Sequence, residues 1–184
     1  MKYQNDKNIL QISGYAYPIK IYGTEGYFLN LTSCWGWGIW KNRWQDFYKF
    51  LLSKKEIQLS YKKIKSNRSL KNKFNINNTY NYLNFLNKQI VKNFNSWGVL
   101  FYLYSFNNEK LNLFPSKSLI DNDGFDGSGL HKSKSNIFNL KIKSKKIKYK
   151  LPNKLYNNNK NLEKISIFLK QELSIFKKIK NIFF

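Results

Sequence analysis

Apolar and polar positions alternate along this chain in blocks that predict a small set of elements. Asn8 to Gly14 is a short apolar run closed by a glycine, which predicts a buried strand leading into a turn, and its lack of a visible neighbour strand suggests a missing upstream half. A second apolar run, Tyr27 to Leu31, precedes Trp35-Gly36-Trp37-Gly38. Trp40, Trp44, Phe47, Tyr48 and Leu51 then recur every three or four residues, which places their rings on one helical face. The lysine-rich stretch from Lys54 to Phe74 has weak periodicity and reads as a short helix and a loop with a solvated charged face. Tyr80, Leu83, Leu86, Ile90 and Phe94 predict another amphipathic helix, and Trp97 to Phe106 a very aromatic one. Leu111 to Ile120 alternates like a strand that Pro115 pushes toward a sheet edge or a bulge. A glycine-rich loop, Asp121 to His131, follows, and Lys141 to Lys148 alternates like an exposed strand. Asn161 to Phe184 forms a basic amphipathic helix with Leu162, Ile165, Leu169, Phe176, Ile179 and Phe183 on one side. For that helix, packing on the body of the protein is favoured over attachment to a membrane surface.

Composition narrows the class. A chain of 184 residues with 18% aromatic side chains has the apolar surface to offset ordering entropy, so most of it is expected to fold. Cys34 is the lone cysteine, which excludes an internal disulfide and suits a reducing compartment. No stretch has the length of a signal-peptide core or of a membrane span, so the expected location is cytoplasmic, with peripheral contact at the inner face of the membrane as the basic option. The formal charge of +23 invites a nucleic-acid reading. Arginine is represented only by Arg43 and Arg68, however, and the lysine comes with abundant Asn, Ile, Phe and Tyr, the signature of an AT-biased coding sequence. A nucleic-acid partner is therefore disfavoured.

Two segments carry candidate chemistry. In Trp35-Gly36-Trp37-Gly38-Ile39-Trp40-Lys41-Asn42-Arg43-Trp44, rings alternate with glycines, giving flat apolar faces beside approachable backbone, as sugar stacking requires. An aromatic plug at a loop-to-helix junction explains the same pattern equally well. In Gly124-Phe125-Asp126-Gly127-Ser128-Gly129-Leu130-His131, the glycines can turn N–H groups toward an anion, while Asp126 and His131 offer metal-type ligands. The bland alternative is a surface turn. A calcium loop fails, because Asp126 stands where glycine is required, and a dinucleotide fingerprint fails because no helix follows. With His131 the sole histidine, Cys34 and Ser128 lack a second histidine as base.

Taken in order, Ile9-Leu10-Gln11-Ile12-Ser13-Gly14, Thr32 to Lys41, and Ser118 to His131 resemble bacterial family 2 glycosyltransferases of the GT-A fold. Such enzymes carry an Ile-Ser-Gly strand, a Ser-Trp-Gly-Trp-x-x-Trp-Lys segment, a helix with Ser-Trp, and a Gly-Phe-Asp-Gly-Ser-Gly-Thr-His loop. The resemblance runs from about Asn8 to His131. It implies an α/β, incomplete GT-A-like (Rossmann-like) fold, the acceptor-side part of the enzyme, over residues 1–131, and a basic extension over 132–184. It also implies transfer of a sugar from a nucleotide-diphospho-sugar to a hydroxyl of a glycan or lipid-linked acceptor, in surface polysaccharide synthesis. The family's nucleotide site and acidic metal motif, with its Mg or Mn, precede the Ile-Ser-Gly strand, so the resemblance implies that this half is either split off into an N-terminal partner chain or lost by truncation. Asp121-Asn122-Asp123 lies at the wrong end of the pattern for that role.

By the same resemblance, Gly124, Phe125, Asp126, Gly127, Ser128 and Gly129 bind substrate, with Asp126 orienting the loop and His131 touching metal or diphosphate. Trp35, Trp37 and Trp40 are candidate sugar platforms, Arg43 a phosphate or carboxylate contact, and Asp46 a candidate catalytic base. The chain departs from the pattern at Asn95, where Asp is frequent and could act as a base, at Leu100 in place of Arg, and at Leu130 in place of Thr. A non-catalytic carbohydrate- or membrane-surface-binding module is the competing reading.

Overall fold

The computed structural model describes residues 2–22, 25–91, 96–121 and 149–183, with side chains through 172. It is a mixed α/β structure with a four-stranded sheet and six helices among these residues. The strands are β1 (Ile9–Ser13), β2 (Tyr27–Leu29), β3 (Trp37–Ile39) and β4 (Leu111–Phe114). The helices are α1 (Lys41–Leu52), α2 (Lys54–Ser66), α3 (Arg68–Phe74), α4 (Tyr82–Ile90), α5 (Trp97–Asn107) and α6 (Asn159–Phe183).

Strand order is β2-β4-β1-β3. β1 runs parallel to β4, with Ile12 beside Leu113, and antiparallel to β3, with Ile12 beside Gly38. β2 pairs antiparallel with the other edge of β4. The sequence suggested that β1 lacks a neighbour and so points to an absent upstream half. The missing neighbour is corrected by the structure, because β1 is paired along both edges. Pro115 is corrected too: β4 is interior, and the proline stands one residue beyond it, where its missing N–H costs the ladder nothing.

β2 shows how the sheet divides two cores. Tyr27 and Leu29 face the main cluster with Leu10, Phe47, Phe101 and Phe114, whereas Phe28 joins Tyr3, Ile9 and Leu113 in a smaller one. The main cluster is built around α5, which buries every residue from Val99 to Ser105 and is apolar all round. Around it sit α1, α2 and α4.

Residues 54–74 form two helices rather than one helix and a loop. Ser53 accepts a hydrogen bond from the Glu56 N–H at 3.3 Å, and the Asn67 carboxamide accepts from Leu70 N–H at 3.0 Å. Each cap satisfies an otherwise orphaned amide, so two short helices start where periodicity alone was weak. Their buried residues are Ile57, Ile64 and Phe74.

α6 is the helix that the spacing predicts, and through residue 172 its side chains show what the first half covers. Ile165 is fully buried and Leu169 nearly so, both within the main cluster. Ahead of α6, residues 150–158 run along the outer edge of β2, through the Gly26 N–H to the Lys150 carbonyl at 2.9 Å and the Asn158 N–H to the Phe28 carbonyl at 2.8 Å. The outer edge of β3 is thus the sheet edge without a strand among the described residues. Among the described residues no helix is long and apolar enough to cross a membrane.

Candidate functional site

The parallel strands β1 and β4 send their carboxyl ends to the same end of the sheet, where open α/β sheets place their ligand crevices. Three separate segments are stitched together there. The Gly14 N–H donates to the Gly36 carbonyl at 2.6 Å, and the Leu119 N–H donates to the Gly14 carbonyl at 2.7 Å. The Ser118 hydroxyl accepts from the Ala16 N–H at 3.2 Å and donates to the Ile120 carbonyl at 2.8 Å. Gly36 has φ of +50°, and a β-carbon placed there would lie 2.7 Å from Cγ2 of Ile120. Only glycine gives both this left-handed backbone and this clearance.

Buried amides prepare this junction from below. Gln11 and Asn112 are partners across β1 and β4, and both are fully buried. The Gln11 Nε2 donates to the Ser33 carbonyl at 3.0 Å, holding the strand of residues that leads to Trp35. Asn112 Nδ2 donates to the Ser105 hydroxyl at 2.9 Å, tying β4 to α5. The sequence analysis missed both residues, although a polar side chain inside an apolar strand is the signal that would have found them.

The tryptophans divide. On β3, Trp37 sits with Trp44 of α1 and with Trp97 and Phe101 of α5, at ring separations of 6.2, 5.6 and 5.4 Å. Trp44 is 37% exposed and Trp97 43%, so this group has open ring faces. Trp35 instead packs edge-on against Tyr15 at 4.7 Å. Trp40, at the start of α1, belongs to the smaller cluster on the other side of the sheet. Of the three tryptophans singled out from the sequence, Trp37 alone joins an exposed aromatic face, in company with Trp44 and Trp97.

Arg43 is 4% exposed. Its Nη2 donates to the carbonyls of Tyr3, Gln4 and Asp6 at 3.1, 3.0 and 2.6 Å, and its guanidinium carbon lies 4.0 Å from the Trp40 ring centre. Burial lowers its pKa, and the Asp6 carboxylate acts in the opposite direction. In this arrangement Arg43 fastens the N-terminal turn. Asp46 lies on α1 with its side chain 61% exposed and pairs with Lys49 at 3.7 Å. It is two positions from Trp44, about 200° around the helix, and so turned from the aromatic face.

Gly124, Phe125, Asp126, Gly127, Ser128, Gly129 and His131 lie outside the described residues, as do Asn95, Leu130 and the predicted strand 141–148. The structure does describe the root of their loop, Ser118 to Asp121, which is the part bound to Gly14 and packed on Gly36. Among the described residues no cluster of three or more His, Cys, Asp or Glu groups could hold a metal ion.

Behind the aromatic face lies a core of phenols. Burial holds the pKa of Tyr17, Tyr82 and Tyr102 well above the ordinary tyrosine value, and neighbouring phenols add to the shift. Cys34, beside Gly98, has its thiol pushed up to about 11 by burial. At neutral pH it is a packed thiol and a poor nucleophile. Compared with family models, curated proteins and solved structures, the chain matches none of them.

Proposed function

We propose that this chain is the acceptor-side part of a GT-A-like glycosyltransferase, transferring a sugar from a nucleotide-diphospho-sugar to a hydroxyl of a glycan or lipid-linked acceptor. One observation carries this reading: Gly14, Gly36 and the root of the glycine-rich loop at Ser118 to Ile120, drawn from the three segments that bear the resemblance, meet at the carboxyl ends of β1 and β4. Independent surface turns would have no reason to converge there. The open faces of Trp37, Trp44 and Trp97 would stack on the acceptor sugar, and the rigid Gly14–Gly36–Ile120 junction would aim the glycine loop at the transferred group. Gly124 to Gly129 would hold the donor's phosphates and His131 the diphosphate or its metal.

In this reading an N-terminal partner chain holds the nucleotide and the Mg or Mn ion, for which the described residues offer no ligand cluster. Since β1 has no vacant edge, such a partner would meet the outer edge of β3. Asp46 is a poor candidate base, being exposed and paired with Lys49.

Tryptophan fluorescence during titration with neutral oligosaccharides, with and without uridine diphosphate sugars, tests the proposal. Quenching that W97A and W44A abolish, and that tightens with the nucleotide sugar, is the expected result. Quenching indifferent to any nucleotide sugar would favour a non-catalytic carbohydrate-binding module. Saccharide binding unchanged in both variants, or none at all, would overturn the site. For a membrane-surface module, the first half of α6 is unavailable, because Ile165 and Leu169 are buried in the protein's own core.

A further inference from the structure

At the sheet edge away from the tryptophan group, β2 and the segment 152–164 enclose a cleft of about 560 Å³. That volume lies within the range of small-molecule sites, roughly 300–1,000 Å³. Its walls carry Lys154, Lys164, Asn153, Asn158, Asn161 and Tyr156. Neither lysine forms an ion pair among the described residues, where Asp46–Lys49 is the pair found. The Lys164 ammonium donates to the Lys20 carbonyl at 3.0 Å, and Lys20 and Lys164 stand 5.1 and 5.8 Å from the centre of the Tyr22 ring, which also lines the cleft. This places positive charge along one wall, with Glu25 as the acidic residue of the lining.

The asparagines are polarised in the same sense. The Asn153 Oδ1 accepts from the Lys2 ammonium at 2.6 Å, and the Asn158 Oδ1 accepts from the Asn161 N–H at 3.0 Å. With both oxygens engaged, each carboxamide has its NH₂ to spare. Asn161 stands beside them in the lining, its carboxamide bonded to no described residue. Tyr156 is 57% exposed and presents a flat ring at the same place.

A lining with surplus donors, cationic side chains and open aromatic faces suits a ligand with many acceptor oxygens, a negative charge and a flat apolar face. We infer that this cleft is a second binding site, selective for acidic saccharides, in which Lys154 and Lys164 meet a carboxylate or phosphate and Tyr156 stacks on the sugar ring. It is separate from the tryptophan group, which lies by β3 at the opposite edge of the sheet.

Amide chemical-shift mapping by NMR on the full chain tests it, with glucuronic acid, glucose 6-phosphate, glucose and inorganic phosphate as probes. Both acidic sugars are expected to shift Tyr156, Asn158, Asn161 and Lys164, and the tighter of the two identifies the charged group. Exchange of Lys154 and Lys164 for Glu should weaken both about tenfold or more. Tyr156→Ala should weaken the acidic sugars while leaving inorganic phosphate unchanged, and W97A should alter none of these affinities. Each variant lies on the surface, and its dispersed spectrum verifies folding before titration. Glucose binding as tightly as glucose 6-phosphate, inorganic phosphate binding as tightly as the acidic sugars, or no shift with any probe would overturn the inference. Because W97A separates the two sites, failure here leaves the aromatic site standing, and the reverse holds.

Discussion

The side chain of Ile120 closes over Gly36, leaving 2.7 Å between its Cγ2 and the place a β-carbon would occupy. The contact joins the loop ahead of β3 to the root of the glycine-rich loop, with Gly14 between them through hydrogen bonds to both.

Glycine substitutions in this region should therefore differ sharply. Gly36→Ala meets a left-handed backbone, costing about 1–2 kcal/mol, as well as the Ile120 side chain, which can move. Gly14→Ala meets the Gly36 carbonyl at 2.6 Å, which is backbone and cannot. Gly38→Ala meets nothing within 4 Å. Urea denaturation should rank the losses with Gly14→Ala and Gly36→Ala well above Gly38→Ala, and Ile120→Ala should recover part of the Gly36→Ala loss. Equal midpoints for all three would contradict the packing described.

Arg43 should behave as a structural anchor. Arg43→Ala strands three carbonyls of the N-terminal turn and exposes the Trp40 face, so a loss of about 3 kcal/mol or more is expected. Arg43→Lys keeps the charge but not the planar fork and should recover only part. Hydrogen exchange would show the change concentrated at residues 3–8. A fully stable Arg43→Ala protein that had lost only anion binding would instead restore the ligand role expected from the sequence.

The buried phenols predict the alkaline limit of stability. Tyr15, Tyr17, Tyr27, Tyr82 and Tyr102 all have folded pKa values raised by burial above the ordinary 10.0, and Cys34 is raised from 9.0 to about 11. A group raised in the folded state contributes stability that is complete below its unfolded pKa and is lost as pH climbs through the folded one. Stability should begin to fall above about pH 9 from the thiol, then faster above about pH 10 from the phenols. Absorbance at 295 nm and far-UV circular dichroism should change together for the buried set. Complete phenolate titration with an intact helical signal would show that these rings are not sequestered.

The first half of α6 should be needed for the core. Ile165→Ala or Leu169→Ala removes a fully packed side chain and should cost about 2–5 kcal/mol by thermal or urea unfolding. Ile167→Ala, at a 51% exposed position on the same helix, should cost far less. Comparable losses for all three would mean that burial in the main cluster does not set what α6 contributes.

Periodicity and turn residues by themselves determined a good deal here. β1, α1, α4, α5 and the start of α6 are legible in the chain, because apolar spacing reflects local geometry that any packing must respect. The capping pattern of Ser53 and Glu56 was equally legible and would have resolved α2. What an aromatic or charged side chain touches is another matter, since that depends on partners far along the chain. Trp35, Trp37 and Trp40 lie within six residues, yet β3 and the start of α1 send them to three surroundings, and Trp37 finds Trp97 only because α5 packs there. Arg43 reads as a ligand group until the Tyr3–Asp6 turn folds back to occupy it, and β1 reads as partnerless until β3 and β4 arrive on either side. Tertiary structure decided these questions because burial and hydrogen-bond satisfaction are properties of the assembled neighbours, which no local run of residues contains.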